Sequence, residues 1–245
     1  MTSRRALLLG LLGAPNGACA VLLRAGDASV LRIDNDGAAR ARSLPPGSAV
    51  KPIVLSALDP ARRFPCRRRL RLAGHTLDCT HTPQPAPLDA FTALAASCNS
   101  WFAQSALLAG AEEVQRILLR AGAEARLARD PEALQLQALG VEHVRFTPLA
   151  LANAYCRLAR LGSPALRDAL ARAVREGTAQ LAAPPGLAVA GKTGTARGAS
   201  WFAGFAPAHD PRVVAVVQLN SGRGGADAAP IAREIFAWWQ RSHSR

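Results

Sequence analysis

The spacing of hydrophobic positions changes character twice along the chain. Ala20-Val21-Leu22-Leu23 and Val30-Leu31-Arg32-Ile33 flank a turn at Gly26-Asp27, which predicts a β-hairpin over residues 19–34. From Leu88 to Glu176 apolar residues recur at helical intervals. Within that stretch Thr147-Pro148 and Ser163-Pro164 each set a capping hydroxyl before a proline suited to the first helical position, and Gly177 stands where a cap could close the second of these helices. After Gly186 strand patterns return at Leu187–Ala190, Ser200–Phe205 and Val213–Leu219, and a last helix carries Ile231, Ile235, Trp238 and Trp239 on one face. Strands divided between the two chain ends bury a face only by pairing with each other. The predicted class is therefore α+β: a five-stranded antiparallel sheet built from both ends with the C-terminal helix against it, an inserted all-helical region, and a cleft where the two meet. The expected boundaries are a single domain over 19–245, with the sheet part at about 19–47 and 185–245 and the helical part at about 48–184. Residues 82–87 are a Pro-rich loop, and there is no internal repeat.

Composition narrows the classes. With 245 residues, 49% hydrophobic and 19% charged, the chain can bury a sizeable core, which excludes disorder, a collagen-like repeat or a disulfide-stapled miniature. The formal charge is +13, yet the arginines are scattered and no recognition helix or zinc-finger spacing accompanies them, so a solvated surface is expected and no nucleic-acid partner. Only Lys51 and Lys192 are lysines, and lysine, unlike arginine, can be neutralised by burial. Residues 1–18 read as either a secretory signal or the first strand: Ser3-Arg4-Arg5 precedes the apolar run 6–14 and an Ala18-Cys19-Ala20 cleavage-like triplet. That run is far below the roughly 20 residues a bilayer requires, so membrane association is expected only through the N-terminus. Cys66, Cys79, His81 and Cys98 have ligand chemistry, but their spacing matches no zinc module and no metal is expected; a Cys66–Cys79 disulfide and free thiols both remain open. Gly222-Arg223-Gly224-Gly225 lacks the phosphate-loop patterns and reads as a flexible connection, and the histidines read as structural.

Three short motifs fall at the joints of this plan. In Pro45-Pro46-Gly47-Ser48-Ala49-Val50-Lys51 the turn delivers Ser48 to a helix start, with the Lys51 amine one turn on and within reach of the hydroxyl. Lys51 can act as a base only if its pKa falls from about 10.4 to about 8, through burial and a nearby cation. Ser97-Cys98-Asn99 sits at a helix break that can aim a hydroxyl and an amide into the cleft. Gly191-Lys192-Thr193-Gly194-Thr195 places a cation and two hydroxyls on an edge strand, suited to a carboxylate, with Gly194 giving a substrate close approach; the Ser48 and Thr195 amides could form an oxyanion hole.

In this order the triplets resemble those of the penicillin-binding protein transpeptidase domain, within the serine acyltransferases that include the β-lactamases. FTALAASCNSWF (91–102), TPLALANAYCRLARL (147–161), Glu176-Gly177-Thr178-Ala179 and SWFAGFAP (200–207) extend the resemblance over roughly residues 20–240. It implies a D,D-transpeptidase-type enzyme of cell-wall biogenesis at the cell envelope, on the extracytoplasmic face. Ser48 would be acylated by a D-Ala-D-Ala peptidoglycan stem peptide, with Lys51 as base, Ser97 and Asn99 as relay and positioning pair, and Lys192, Thr193, Gly194 and Thr195 as the substrate-binding strand. β-Lactams would acylate the same serine, other cell-wall enzymes are candidate partners, and no cofactor is implied. The alternatives are a D,D-carboxypeptidase or β-lactamase and, from another class, a non-catalytic penicillin-recognising or peptidoglycan-binding module.

Overall fold

The structure, a computed structural model, describes residues 18–243; the proposed signal segment lies almost wholly outside them. In chain order the elements are β1 (Cys19–Arg24), β2 (Val30–Asp34), α1 (Asp36–Ala41), a 3-10 turn (Gly47–Val50), α2 (Lys51–Val54), a 3-10 turn (Leu55–Ala57), β3 (Arg71–Leu72), β4 (His75–Thr76), α3 (Ala90–Ala95), α4 (Asn99–Ala109), α5 (Ala111–Arg120), β5 (Glu124–Ala125), α6 (Pro131–Ala138), β6 (Val144–Arg145), α7 (Pro148–Leu161), α8 (Pro164–Arg175), a 3-10 turn (Gln180–Ala182), β7 (Ala190–Ala196), β8 (Ala199–Ala206), β9 (Val213–Leu219) and α9 (Ala229–His243). The main sheet is antiparallel in the order β2-β1-β9-β8-β7, so both chain ends contribute strands and β7 is an edge.

Why β8 and β9 are almost wholly apolar follows from burial on both faces. Val214 and Val216 of β9 point into the core shared with the helical region, while Val213, Ala215, Val217 and Leu219 pack in a second core beneath α9. The two-residue period of a strand divides the side chains this way, and β1 repeats it, with Val21 and Leu23 on one side and Ala20 and Leu22 on the other. Burying both faces fixes the register, because a one-residue slip would exchange the two sets.

The helix starts follow the sequence. Side chains of Asp89, Asp130, Thr147 and Ser163 accept from the N–H groups of Thr92, Ala133, Ala150 and Leu166, and proline follows the cap in α6, α7 and α8. Helix α4 is buried around most of its girth, through Ser100, Trp101, Phe102, Ala103 and Ala106, as expected of a helix at the centre of the helical region.

Four expectations change. The strand expected at 187–190 begins at Ala190 and runs to Ala196, so the Lys-Thr-Gly triplet is itself the edge strand. Gly177 is not a left-handed cap: a Cβ there would meet the carbonyl oxygens of Ala173 and Ala95 at 2.8 Å, so the glycine serves close packing of α8 against α3. Helix α9 is buried most deeply along Ala229, Ala232, Ile235 and Phe236, with Ile231, Trp238 and Trp239 at the margin. Within 220–225, Gly224 is packed against β7 and β8, leaving no room for a Cβ, so that connection is a fitted segment. The helical region also holds two ribbons, β3–β4 and β5–β6, each with two residues per strand, too short to leave a periodic signal.

Candidate active site

Ser48 lies on the 3-10 turn that precedes α2. Gly47 adopts φ +53 and its α-carbon is pressed onto β7, where a Cβ would lie 2.7 Å from the Thr195 nitrogen; on the strand side, a Cβ on Gly194 would collide with the Pro46 carbonyl. Glycine at both positions is what lets the turn and the edge strand meet backbone to backbone. The turn is held from behind by two buried side chains: the Tyr155 hydroxyl donates to Ala49 O at 2.8 Å and the Trp201 indole N–H to Pro45 O at 2.9 Å.

Lys51 opens α2 with its side chain fully buried. Its Nζ donates to Asn99 Oδ1 at 2.6 Å and to the Ser97 carbonyl at 2.9 Å, lies 3.4 Å from Ser97 Oγ, and sits 5.3 Å from the centre of the Phe102 ring. Burial pulls its pKa down to about 8, only partly countered by the nearby Cys98 and Cys79 thiols. A neutral amine has two hydrogens. With both directed at the acceptor-only oxygens of Asn99 and Ser97, the lone pair is free to face a hydroxyl. Among the described residues no hydrogen bond joins Ser48 Oγ to Lys51; the backbone N–H of Lys51 bonds to Ser48 O instead.

Ser97 has φ +56, a left-handed conformation that costs a non-glycine residue about 1 kcal/mol or more. It occupies the break between α3 and α4, and that backbone turns its carbonyl and hydroxyl toward Lys51. Cys98 caps α4 by accepting from Trp101 N–H. Asn99, the first residue of the helix, also donates from Nδ2 to Leu77 O at 2.9 Å, tying the motif to the segment after β4.

On β7 the alternation puts Lys192 and Gly194 on one face and Thr193 and Thr195 on the other. Lys192 is fully buried, its Nζ donating at 3.2 Å to Thr193 O, and its pKa is driven well below the ordinary lysine value by burial first and by the Lys51 charge second. Thr193 Oγ1 bonds Thr178 Oγ1 at 2.6 Å, whereas exposed Thr195 accepts from Gly224 N–H at 3.0 Å. Thr178, with Arg172, Glu176, Ala96 and Thr80, lines a polar pocket of about 470 Å³ beside the strand. The geometry thus gathers Lys51, Ser97 and Asn99 tightly, sets β7 against the Ser48 turn, and adds Thr178, Tyr155 and Trp201, whose parts no local pattern announced.

The sequence profile of the penicillin binding protein transpeptidase domain matches residues 163–237, which include Lys192 to Thr195 but neither Ser48 nor Ser97 to Asn99. Over that stretch the chain is similar to the penicillin-binding protein transpeptidase domain. Penicillin-binding protein PbpB of Mycolicibacterium smegmatis is 37% identical over 90 residues, 29% of this chain and 14% of that protein. Peptidoglycan D,D-transpeptidase MrdA of Acinetobacter baumannii is 31% identical over 94 residues, 30% of this chain and again 14% of the relative. The chain therefore matches only about one seventh of the length of these curated relatives. Among solved structures, the imipenem acyl-enzyme of penicillin-binding protein A from M. tuberculosis superposes with a TM-score of 0.72 at 21% identity, over 89% of this chain and 73% of that one. The transpeptidase domain of FtsI4 D,D-transpeptidase from Legionella pneumophila gives 0.67 at 23% identity, over 90% and 87%. Both likenesses are of fold.

Proposed function

We propose that this chain, as a single unit over residues 19–245, is a penicillin-binding transpeptidase-type domain, a serine D,D-acyltransferase of the cell envelope acting on D-Ala-D-Ala stem peptides of peptidoglycan. The observation that carries the reading is the buried Lys51 amine, its pKa lowered to about 8, held by Asn99 and Ser97 and lying three residues after a serine on a turn pressed against the Lys192 strand.

In this reading the neutral Lys51 takes the Ser48 hydroxyl proton as Oγ attacks the penultimate D-alanine carbonyl. Negative charge on the carbonyl oxygen is met by the amides of Ser48 and Thr195, which the close approach of Gly47 to Thr195 sets side by side. The proton passes from Lys51 by way of Ser97 Oγ, 3.4 Å away, to the leaving D-alanine amine. Lys192, Thr193 and Thr195 bind the terminal carboxylate, which supplies the counter-charge the buried Lys192 lacks and so favours its protonated form. The acyl-enzyme is then resolved by an amine, a transpeptidation, or by water, a carboxypeptidation. β-Lactams would enter the same path, as ceftriaxone and imipenem do in the acyl-enzyme structures of M. tuberculosis penicillin-binding protein A.

Incubation with a fluorescent penicillin tests this directly. The wild-type chain is expected to carry a covalent adduct that survives denaturation, and Ser48→Ala to carry none. An adduct that persists in Ser48→Ala would end the acyl-Ser48 reading, and the absence of any adduct on wild type would leave only a binding module.

A further inference from the structure

Behind the Lys51–Asn99 contact, on the far side of α4's first turn, four side chains converge that local spacing could not connect. The thiols of Cys66, Cys79 and Cys98 and a ring nitrogen of His81 all lie within 4.8 Å of one another, and all three cysteines are free. Cys79 Sγ and Cys98 Sγ are 3.8 Å apart. Two thiolates on a tetrahedral zinc at about 2.3 Å each are separated by about 3.8 Å, the edge of that tetrahedron. The observed separation needs no movement to accept the ion.

The surroundings of the four groups are those of a ligand set. His81 Nδ1 lies 2.8 Å from Thr82 O; a carbonyl can only accept, so Nδ1 carries the hydrogen and the lone pair is on Nε2. That Nε2 is buried and has no hydrogen-bond partner. Fixing the tautomer by a backbone carbonyl is the usual support of a metal-bound imidazole. Each sulfur also receives a backbone N–H: Arg68 N to Cys66 at 3.4 Å, Ser100 N to Cys79 at 3.5 Å and Trp101 N to Cys98 at 3.4 Å. Donors aimed at sulfur stabilise thiolate charge.

We propose that Cys66, Cys79, His81 and Cys98 form a tetrahedral zinc site that staples the 66–81 segment to the N-terminus of α4. Three soft sulfurs and one imidazole select Zn²⁺ over Mg²⁺ or Ca²⁺, and four protein ligands leave no open position, so the ion is structural. Binding replaces the proton of each thiol that carries one, up to three protons released to solvent per ion, with no redox change. The benefit falls on the neighbouring chemistry, because Cys98 is flanked by Ser97 and Asn99, and Leu77, which accepts from Asn99, belongs to the stapled segment. The site stands whether or not Ser48 is acylated.

The test is metal analysis of the full chain purified reduced in chelator-treated buffer, followed by Co²⁺ substitution. About one zinc per chain is expected, and Co²⁺ should give the intense thiolate charge-transfer absorption of a tetrahedral site. Cys66→Ser and His81→Ala should each weaken zinc more than tenfold, while Cys156→Ser, on α7 with its thiol against Arg24 O of β1, should keep one equivalent. If Cys66→Ser fails to fold, His81→Ala and the Co²⁺ spectrum of wild type still decide. Reduced wild type that takes up neither ion would overturn the proposal. So would metal binding unchanged in both ligand variants, or a Cys79–Cys98 disulfide in protein prepared with zinc present.

Discussion

At the level of one side chain, Lys51, the base of the proposed acylation, is an amine with two committed acceptors whose charge burial disfavours. A base with a pKa of about 8 is half neutral at that pH, so acylation by a β-lactam is expected to fall about tenfold per unit as pH drops below about 8 and to level above it. A labelling rate independent of pH from 6 to 9 would contradict a neutral Lys51 as base. The same shift bears on folding with a definite sign. The unfolded chain holds this proton up to about pH 10.4 and the folded chain only to about 8, so the unfavourable contribution of buried Lys51 fades as pH rises through that interval. Lys51→Arg keeps a cation that cannot be neutralised and is expected to abolish labelling, read on the same gel as Ser48→Ala. Lys51, Ser97 and Asn99 were legible as one-letter motifs because their spacing is local. The left-handed backbone of Ser97 was not, since nothing in a serine announces φ +56.

At the scale of elements, the 3-10 turn bearing Ser48 is too short to hold its own shape and borrows it from α7 and β8. Tyr155→Phe removes the donor to Ala49 O and leaves a buried carbonyl unpaired, which is expected to cost about 1 to 3 kcal/mol and lower the melting temperature by several degrees. Slower penicillin labelling together with that shift would mark Tyr155 as a positioning residue; the shift alone would mark it as structural. Capped helices were readable because Thr147 and Ser163 act on their own neighbouring amides. The start of β7 was misplaced by three residues because Gly191 and Gly194 weaken strand propensity, while their real role is to admit Phe202 and the Ser48 turn, partners far away in the chain.

Over the whole molecule the sheet works as a partition between two cores, one shared with the helical region and one under α9. Phe236 is fully buried in the second and meets Phe202 edge to face with ring centres 6.2 Å apart. Phe236→Ala is expected to cost about 3 to 5 kcal/mol, read as a lowered midpoint in denaturant with the slope unchanged. The positive charge is spread over exposed arginines, several paired with carboxylates, such as Arg40 with Asp36 and Arg212 with Asp210. Among the described residues no helix is long and apolar enough to cross a membrane. The five strands of the main sheet, the antiparallel pairing of the two ends and the order of the three motifs were determined by sequence alone, because alternation, turns and caps act within a few residues. Folding over long distances decided the rest: an amine of ordinary basicity became a buried one, and cysteines separated by up to 32 positions came within ligand reach of one histidine. Burial and convergence are properties of what packs around a residue, and no spacing along the chain contains them.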